Sequence, residues 1–208
     1  MGNLATDAVA RLTLKTSNAL ANSQGFIANQ VVTQGYIQAN SSKDQHYDFC
    51  LREIDMSSAG KISDFSTAEL LSIIDSSGCD LALMPLIKFN SSSSDKSKMA
   101  ISIVKKLQCF LLPIDITIWF DDKDFKTAIP LLDDRNQLVD ALVSAGYSVG
   151  YYGGEACECS PSNSAIQNGS IMLNVVSCGS SSVPSKTFPT VKIGDNSNAC
   201  KMRWVSPQ

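Results

Sequence analysis

Histidine is almost missing from this 208-residue chain, with His46 the only one. Multi-histidine metal sites are thereby removed, and any Ser-His-Asp or Cys-His arrangement would rest on one imidazole. Nor is there a G-x-S-x-G elbow, an H-E-x-x-H pair or a phosphate-binding P-loop. No apolar run approaches the roughly 18 to 20 residues that cross a bilayer. The first residues lack a basic region followed by an apolar block, so no signal peptide is expected. Positive charge is scarce as well: 17 Lys+Arg against 20 Asp+Glu give a net charge of −3, with no basic stripe for nucleic acid. Charged residues make up 18% of the chain, below the usual quarter, and none falls between Thr16 and Ser42.

What the chain does have is a hydrophobic content of 44%, enough for a sizeable core, and a length that suits one domain with an appendage or two small domains. It carries seven cysteines. Cys50, Cys79 and Cys109 lie in or beside apolar segments, where a thiol behaves as a small hydrophobe. Cys157, Cys159, Cys178 and Cys200 lie in the turn-rich last quarter and could form two disulfides or a four-thiolate zinc site. A chain that is not exported keeps its thiols reduced, so free cysteines and no cofactor are the leading expectation. Met1-Gly2-Asn3-Leu4-Ala5-Thr6 fits the N-myristoylation pattern, with Gly2 as acceptor. One acyl chain there would give only weak membrane association.

The uncharged stretch has a thin apolar stripe: Ala5, Val9, Leu12, Ala19, Ile27 and Val31 approximate helical spacing. Gly25 and Gly35 weaken it, each at about 1 kcal/mol relative to Ala. The spacing predicts a long N-terminal helical arm over residues 1–43, ahead of an α+β domain over 44–208. A lone surface helix interleaves charges on its wet face, so an uncharged arm suits contact with other protein. Leu20, Phe26, Ile27, Val31 and Tyr36 are the candidate assembly residues.

Beyond Asp44 the signals are stronger. Tyr47, Phe49 and Leu51 alternate with polar neighbours, as in a half-buried strand. Ser66-Thr67-Ala68-Glu69 is a capping box that opens a short helix ending before Gly78. Cys79 to Phe89 reads as a strand whose Pro85 places it at an edge or bulge. Lys98 to Leu112 is compatible with helix or strand. Ile114, Ile116, Ile118 and Phe120 face one way along a strand, with Asp115, Thr117, Trp119 and Asp121 on the other side. A helix from Asp133 or Asp134 to Gly146 and a strand from Tyr147 to Tyr152 complete a crossover unit with parallel pairing. Short strands are expected at Ser170–Cys178, Thr187–Ile193 and Lys201–Val205. The sum is α+β, a mixed or antiparallel sheet with two short helices.

Acidic residues gather at strand ends: Asp121 and Asp124 after one strand, Glu155 and Glu158 after the next. Glycosidases place an acid and a base in this way, and Trp119, Tyr151 and Tyr152 could stack on a sugar ring. The simpler account, a charged turn ending a buried strand, is favoured. Were the chain an enzyme, Asp121, Asp124 and Glu155 would be its catalytic candidates.

Asn3-Leu4-Ala5-Thr6-Asp7-Ala8-Val9, Asn18-Ala19-Leu20-Ala21-Asn22-Ser23-Gln24 and Ile54-Asp55-Met56-Ser57-Ser58-Ala59-Gly60 resemble segments of the R-body (Reb, killing trait) proteins. The resemblance covers residues 3–60 and carries over no functional residue. It implies helical subunits that polymerise into ribbons in the cytoplasm. The uncharged arm, the Ser/Thr/Asn richness and the missing catalytic motifs together give the expectation of a non-enzymatic structural protein, cytoplasmic or in a virion, whose partner is itself as a capsid, filament or ribbon subunit. A carbohydrate-active enzyme or sugar-binding module, and a myristoylated peripheral membrane protein, are the alternatives.

Overall fold

The computed structural model describes residues 14–41, 46–56, 65–88, 95–152, 171–177, 190–193 and 202–208. Its elements run β1 (Thr16–Asn18), β2 (Gln24–Ala28), α1 (Gln34–Asn40), β3 (Phe49–Asp55), α2 (Thr67–Ile74), β4 (Ala82–Lys88), α3 (Lys96–Cys109), β5 (Thr117–Asp121), α4 (Asp122–Ala128), α5 (Leu132–Ser144), β6 (Ser148–Tyr152), β7 (Ile171–Ser177), β8 (Thr190–Lys192) and β9 (Arg203–Val205). The nine described strands join one mixed sheet in the order β1-β9-β4-β3-β2-β8-β7-β6-β5, with a further β4–β5 pairing. That extra pairing curls the sheet round on itself. From β2 through β3, β4, β5 and β6 to β7 every neighbour is parallel, and antiparallel β8 links β7 back to β2.

The seam between β4 and β5 is closed along half its length. Leu86 and Ile87 pair with Trp119 and Phe120, whereas Leu83 pairs with Val205 of β9. Strand β9 is thus a wedge at the amino ends of β4 and β5. Its Arg203 donates from Nε to Asp115 Oδ2 at 3.0 Å and from Nη2 to Thr16 Oγ1 at 2.8 Å. Thr16 in turn donates to the same Asp115 oxygen at 2.7 Å, so β1 and β9 are both tied to the segment that leads into β5.

Two apolar layers follow from strand alternation. The interior holds Ile27, Phe49, Leu51, Met84, Leu86, Trp119, Val191, Met202 and Trp204. The opposite faces, with Phe26, Cys50, Ile54, Leu83, Ile87, Ile118, Phe120 and Tyr151, pack against Leu70, Ile73, Ile103, Leu138 and Leu142 of the helices. Two glycines make the interior possible. A Cβ on Gly150 would lie 2.5 Å from the Trp119 ring, and one on Gly25 would lie 2.4 Å from the Phe49 ring. Bare backbone at these points lets each large ring lie across the neighbouring strand.

The expected long helical arm is overturned. The first described element is a strand, and Asn18–Gln24, likened to a helix, is the end of β1, a turn and the start of β2. Among the described residues of Thr16–Ser42 the sole helix is α1, capped by Thr33 Oγ1 accepting from Tyr36 N at 3.0 Å. The helical stripe misled because β2 is buried on both faces and has no two-residue alternation to betray it. The expectation of two short helices is also exceeded, with five among the described residues. Ala5, Val9 and Leu12 lie outside those residues.

Later predictions fare better. Ser66 caps α2, accepting from Glu69 N at 3.1 Å. The β5–α5–β6 crossover is parallel as predicted. The segment compatible with either structure is helix α3, opened by Asp95, whose side chain accepts from Lys98 N at 3.0 Å. Strand β4 is central, contrary to the edge that Pro85 implied. Its proline falls where the second neighbour changes from β9 to β5, so the missing N–H sits at a gap in the ladder.

Candidate functional site

In a sheet of parallel strands curled into a barrel, the carboxyl ends converge on one face, and loops there carry chemistry. Here that rim is charged. On β3, Phe49 and Leu51 point inward, so alternation turns Glu53 and Asp55 the same way. On β4, Ala82, Met84 and Leu86 lead to Lys88, and on β5 Trp119 leads to Asp121. Register places Asp55 beside Lys88, and Lys88 falls level with Asp121 by continuing the Ile87–Phe120 pairing. Adjacent strands thus present acid, base and acid at one level, with Glu53 two residues below.

Lys88 Nζ lies 3.7 Å from Glu53 Oε1 and 3.9 Å from Asp124 Oδ2. Asp124 is placed by α4, whose start is held because Asp121 Oδ1 accepts from Asp124 N at 3.0 Å. The side chains of Lys88 and Asp124 are nearly half exposed, and Glu53 is 21% exposed, so the cluster opens to solvent above a packed interior. Beneath it Trp119 donates from Nε1 to Met84 Sδ at 3.1 Å.

Behind the rim, on the outer face of β3, lies a buried ion pair. Arg52 Nε donates to Glu69 Oε1 at 2.8 Å, and the two side chains are 1% and 2% exposed. Arg52 Nη1 donates to the Glu53 carbonyl at 2.7 Å, and Glu69 Oε1 also accepts from Val32 N at 2.9 Å. Glu69 therefore does not close the reciprocal capping box that its position suggests. Its carboxylate goes to Arg52 and to the segment after β2 instead.

The residues singled out from the sequence scatter. Asp121 and Asp124 do stand at the rim, as strand-end reasoning proposed, while Glu155 lies outside the described residues, as do Gly2, Cys157, Cys159, Cys178 and Cys200. Trp119 and Tyr151 are not available for sugar stacking: the first fills the interior and the second packs against Phe125, centroids 5.3 Å apart. His46 precedes β3 at the amino end, exposed and 3.6 Å from Asp48, away from the rim. Of the candidate assembly residues, Phe26 and Ile27 are buried, Tyr36 packs partly on the core, and Leu20 and Val31 are exposed. Glu53, Lys88 and Arg52 were missed. The signal was a run of charges, Arg52-Glu53 and Asp55, at the end of an apolar strand.

Three cysteines are described, all free: Cys50 buried, Cys79 intermediate and Cys109 exposed. Burial pushes the Cys50 thiol far above its ordinary value, against a smaller opposing pull from Arg52. Burial also raises Cys79, reinforced by the Glu69 charge. Of these three, exposed Cys109 should be alkylated first by iodoacetamide at pH 8, Cys79 more slowly and Cys50 only on unfolding, since the thiolate is the reactive form. Peptide mass mapping over a time course checks the order, and early modification of Cys50 would contradict its placement.

Among the described residues no group of three or more His, Cys, Asp or Glu is arranged to hold a metal ion. No described helix is long and apolar enough to cross a membrane. No family model, curated protein or solved structure matches the chain.

Proposed function

We propose that the carboxyl rim of the barrel is a hydrolytic site acting on glycosidic bonds, with Glu53 and Asp121 as its carboxyl pair. The observation that carries this reading is the placement of Glu53, Lys88 and Asp121 on three consecutive parallel strands at their carboxyl ends. Strands β3 and β5 are separated by one strand and Glu53 sits two residues below the level of Asp121, which puts the two backbones roughly 11 to 12 Å apart. Inward-leaning carboxylates at that separation approach the span of about 5 to 9.5 Å that glycosidases use. One carboxyl would protonate the departing oxygen while the other attacks the anomeric carbon or activates water. Lys88, between Glu53 and Asp124, restrains both side chains and offsets part of the negative charge.

The test is reducing-end release from a panel of neutral and amino-sugar polysaccharides. Glu53→Gln and Asp121→Asn should each lower turnover by about 100-fold or more without lowering the melting temperature. An activity indifferent to both substitutions, or no cleavage of any glycan, would sink the reading.

Self-association is a second reading, favoured by exposed Leu20 and Val31 and by α1, which has no buried residue and no charge. Sedimentation velocity of the wild type and of Leu20→Ser/Val31→Ser decides it. A concentration-dependent oligomer that the double variant abolishes is expected, and a monomer throughout would dismiss it.

A further inference from the structure

A fully buried ion pair is an expensive way to hold a helix against a sheet, because apolar side chains of like volume do so without desolvating charge. The Arg52–Glu69 pair is therefore informative through what else it touches. Arg52 Nη1 grips the carbonyl of Glu53, the residue whose carboxylate meets Lys88. Glu69 Oε1 takes the N–H of Val32, which follows β2 on the same face of the barrel. Glu69 also lies in the first turn of α2, its own N–H received by Ser66. One ion pair thus fastens three chain segments at the carboxyl rim: the end of β3, the start of α2 and the stretch after β2. Phe65 closes it off, with the guanidinium carbon 5.9 Å from the ring centroid.

We infer that Arg52 and Glu69 are positioning residues, a clamp that sets the Glu53 carboxylate against Lys88 and anchors the Val32 segment beside it. The inference rests on the rim reading for the purpose of the clamp, but its geometry can be tested without any turnover.

The experiment uses the full chain labelled with ¹³C-glutamate, the Glu53 side-chain carboxyl resonance being assigned by its loss in Glu53→Gln. In the wild type, Lys88→Met should move that resonance, since it removes the neighbouring ammonium. In the apolar replacement Arg52→Met/Glu69→Leu, the same Lys88→Met change should move it at least about threefold less, the two sites having lost their coupling. An equal response in both backgrounds overturns the inference. Should the double replacement fail to fold, hydrogen exchange in the wild type decides. The Val32 amide should exchange within about tenfold of the slowest β3 amides, opening only with the core. Faster exchange overturns the clamp. Since neither measurement needs a substrate, a failed clamp and a failed glycosidase reading remain distinguishable.

Discussion

Glu69→Leu should lower unfolding stability by roughly 3–5 kcal/mol, the usual consequence of stranding one charge of a buried pair. Arg52 would be left 1% exposed without its carboxylate, and the Val32 N–H would lose its acceptor. Adding Arg52→Met should restore most of the loss, because it removes the charge that Glu69→Leu strands. Urea unfolding followed by tryptophan fluorescence measures both. A single variant within about 1 kcal/mol of wild type would mean that the guanidinium escapes to solvent, and that the pair is not buried as described.

Trp119→Ala should cost a similar amount, roughly 3–5 kcal/mol, by emptying the centre of the barrel. The ring is fully buried, touches Met84 through its N–H and occupies the space that Gly150 leaves open. Gly150→Ala attacks the same contact from the other side and should cost about 1–3 kcal/mol by overpacking, with its Cβ at 2.5 Å from the ring. The two effects should not add. Once Trp119 is gone, the alanine methyl enters the cavity, and a strand residue with less freedom in the unfolded chain becomes neutral or favourable. A four-member cycle of denaturation curves gives the coupling, and additivity within about 0.5 kcal/mol would show that ring and glycine do not meet.

The same residues show how far the chain could be read before it was folded. The helix opened by Ser66 and the β5–α5–β6 unit were legible because cap chemistry and one-sided burial are written in neighbouring residues. Asp121 and Asp124 were legible as strand-end acids for the same reason. Glu53 and Lys88 were not, since their partnership depends on β3 and β4 lying side by side in register. Trp119 falls on the strand side it shares with Asp115, Thr117 and Asp121, opposite the apolar face of Ile116, Ile118 and Phe120, so the alternation gives no reason to bury it. The curled sheet has an inside as well as a helix-covered outside, and so buries both.

The sequence alone therefore determined the local units, the capped α2 helix and the parallel crossover, and with a single histidine it excluded a multi-histidine metal site. These depend on composition or on residues a few positions apart. The tertiary structure decided that Thr16–Asn18 and Gln24–Ala28 are strands and that β4 is central. It also decided that Arg52 and Glu69 share a buried bond, and that charges from three strands meet at one rim. Each of those rests on contacts between distant residues across a curled sheet, where burial on both faces erases the periodicity by which a strand is ordinarily recognised.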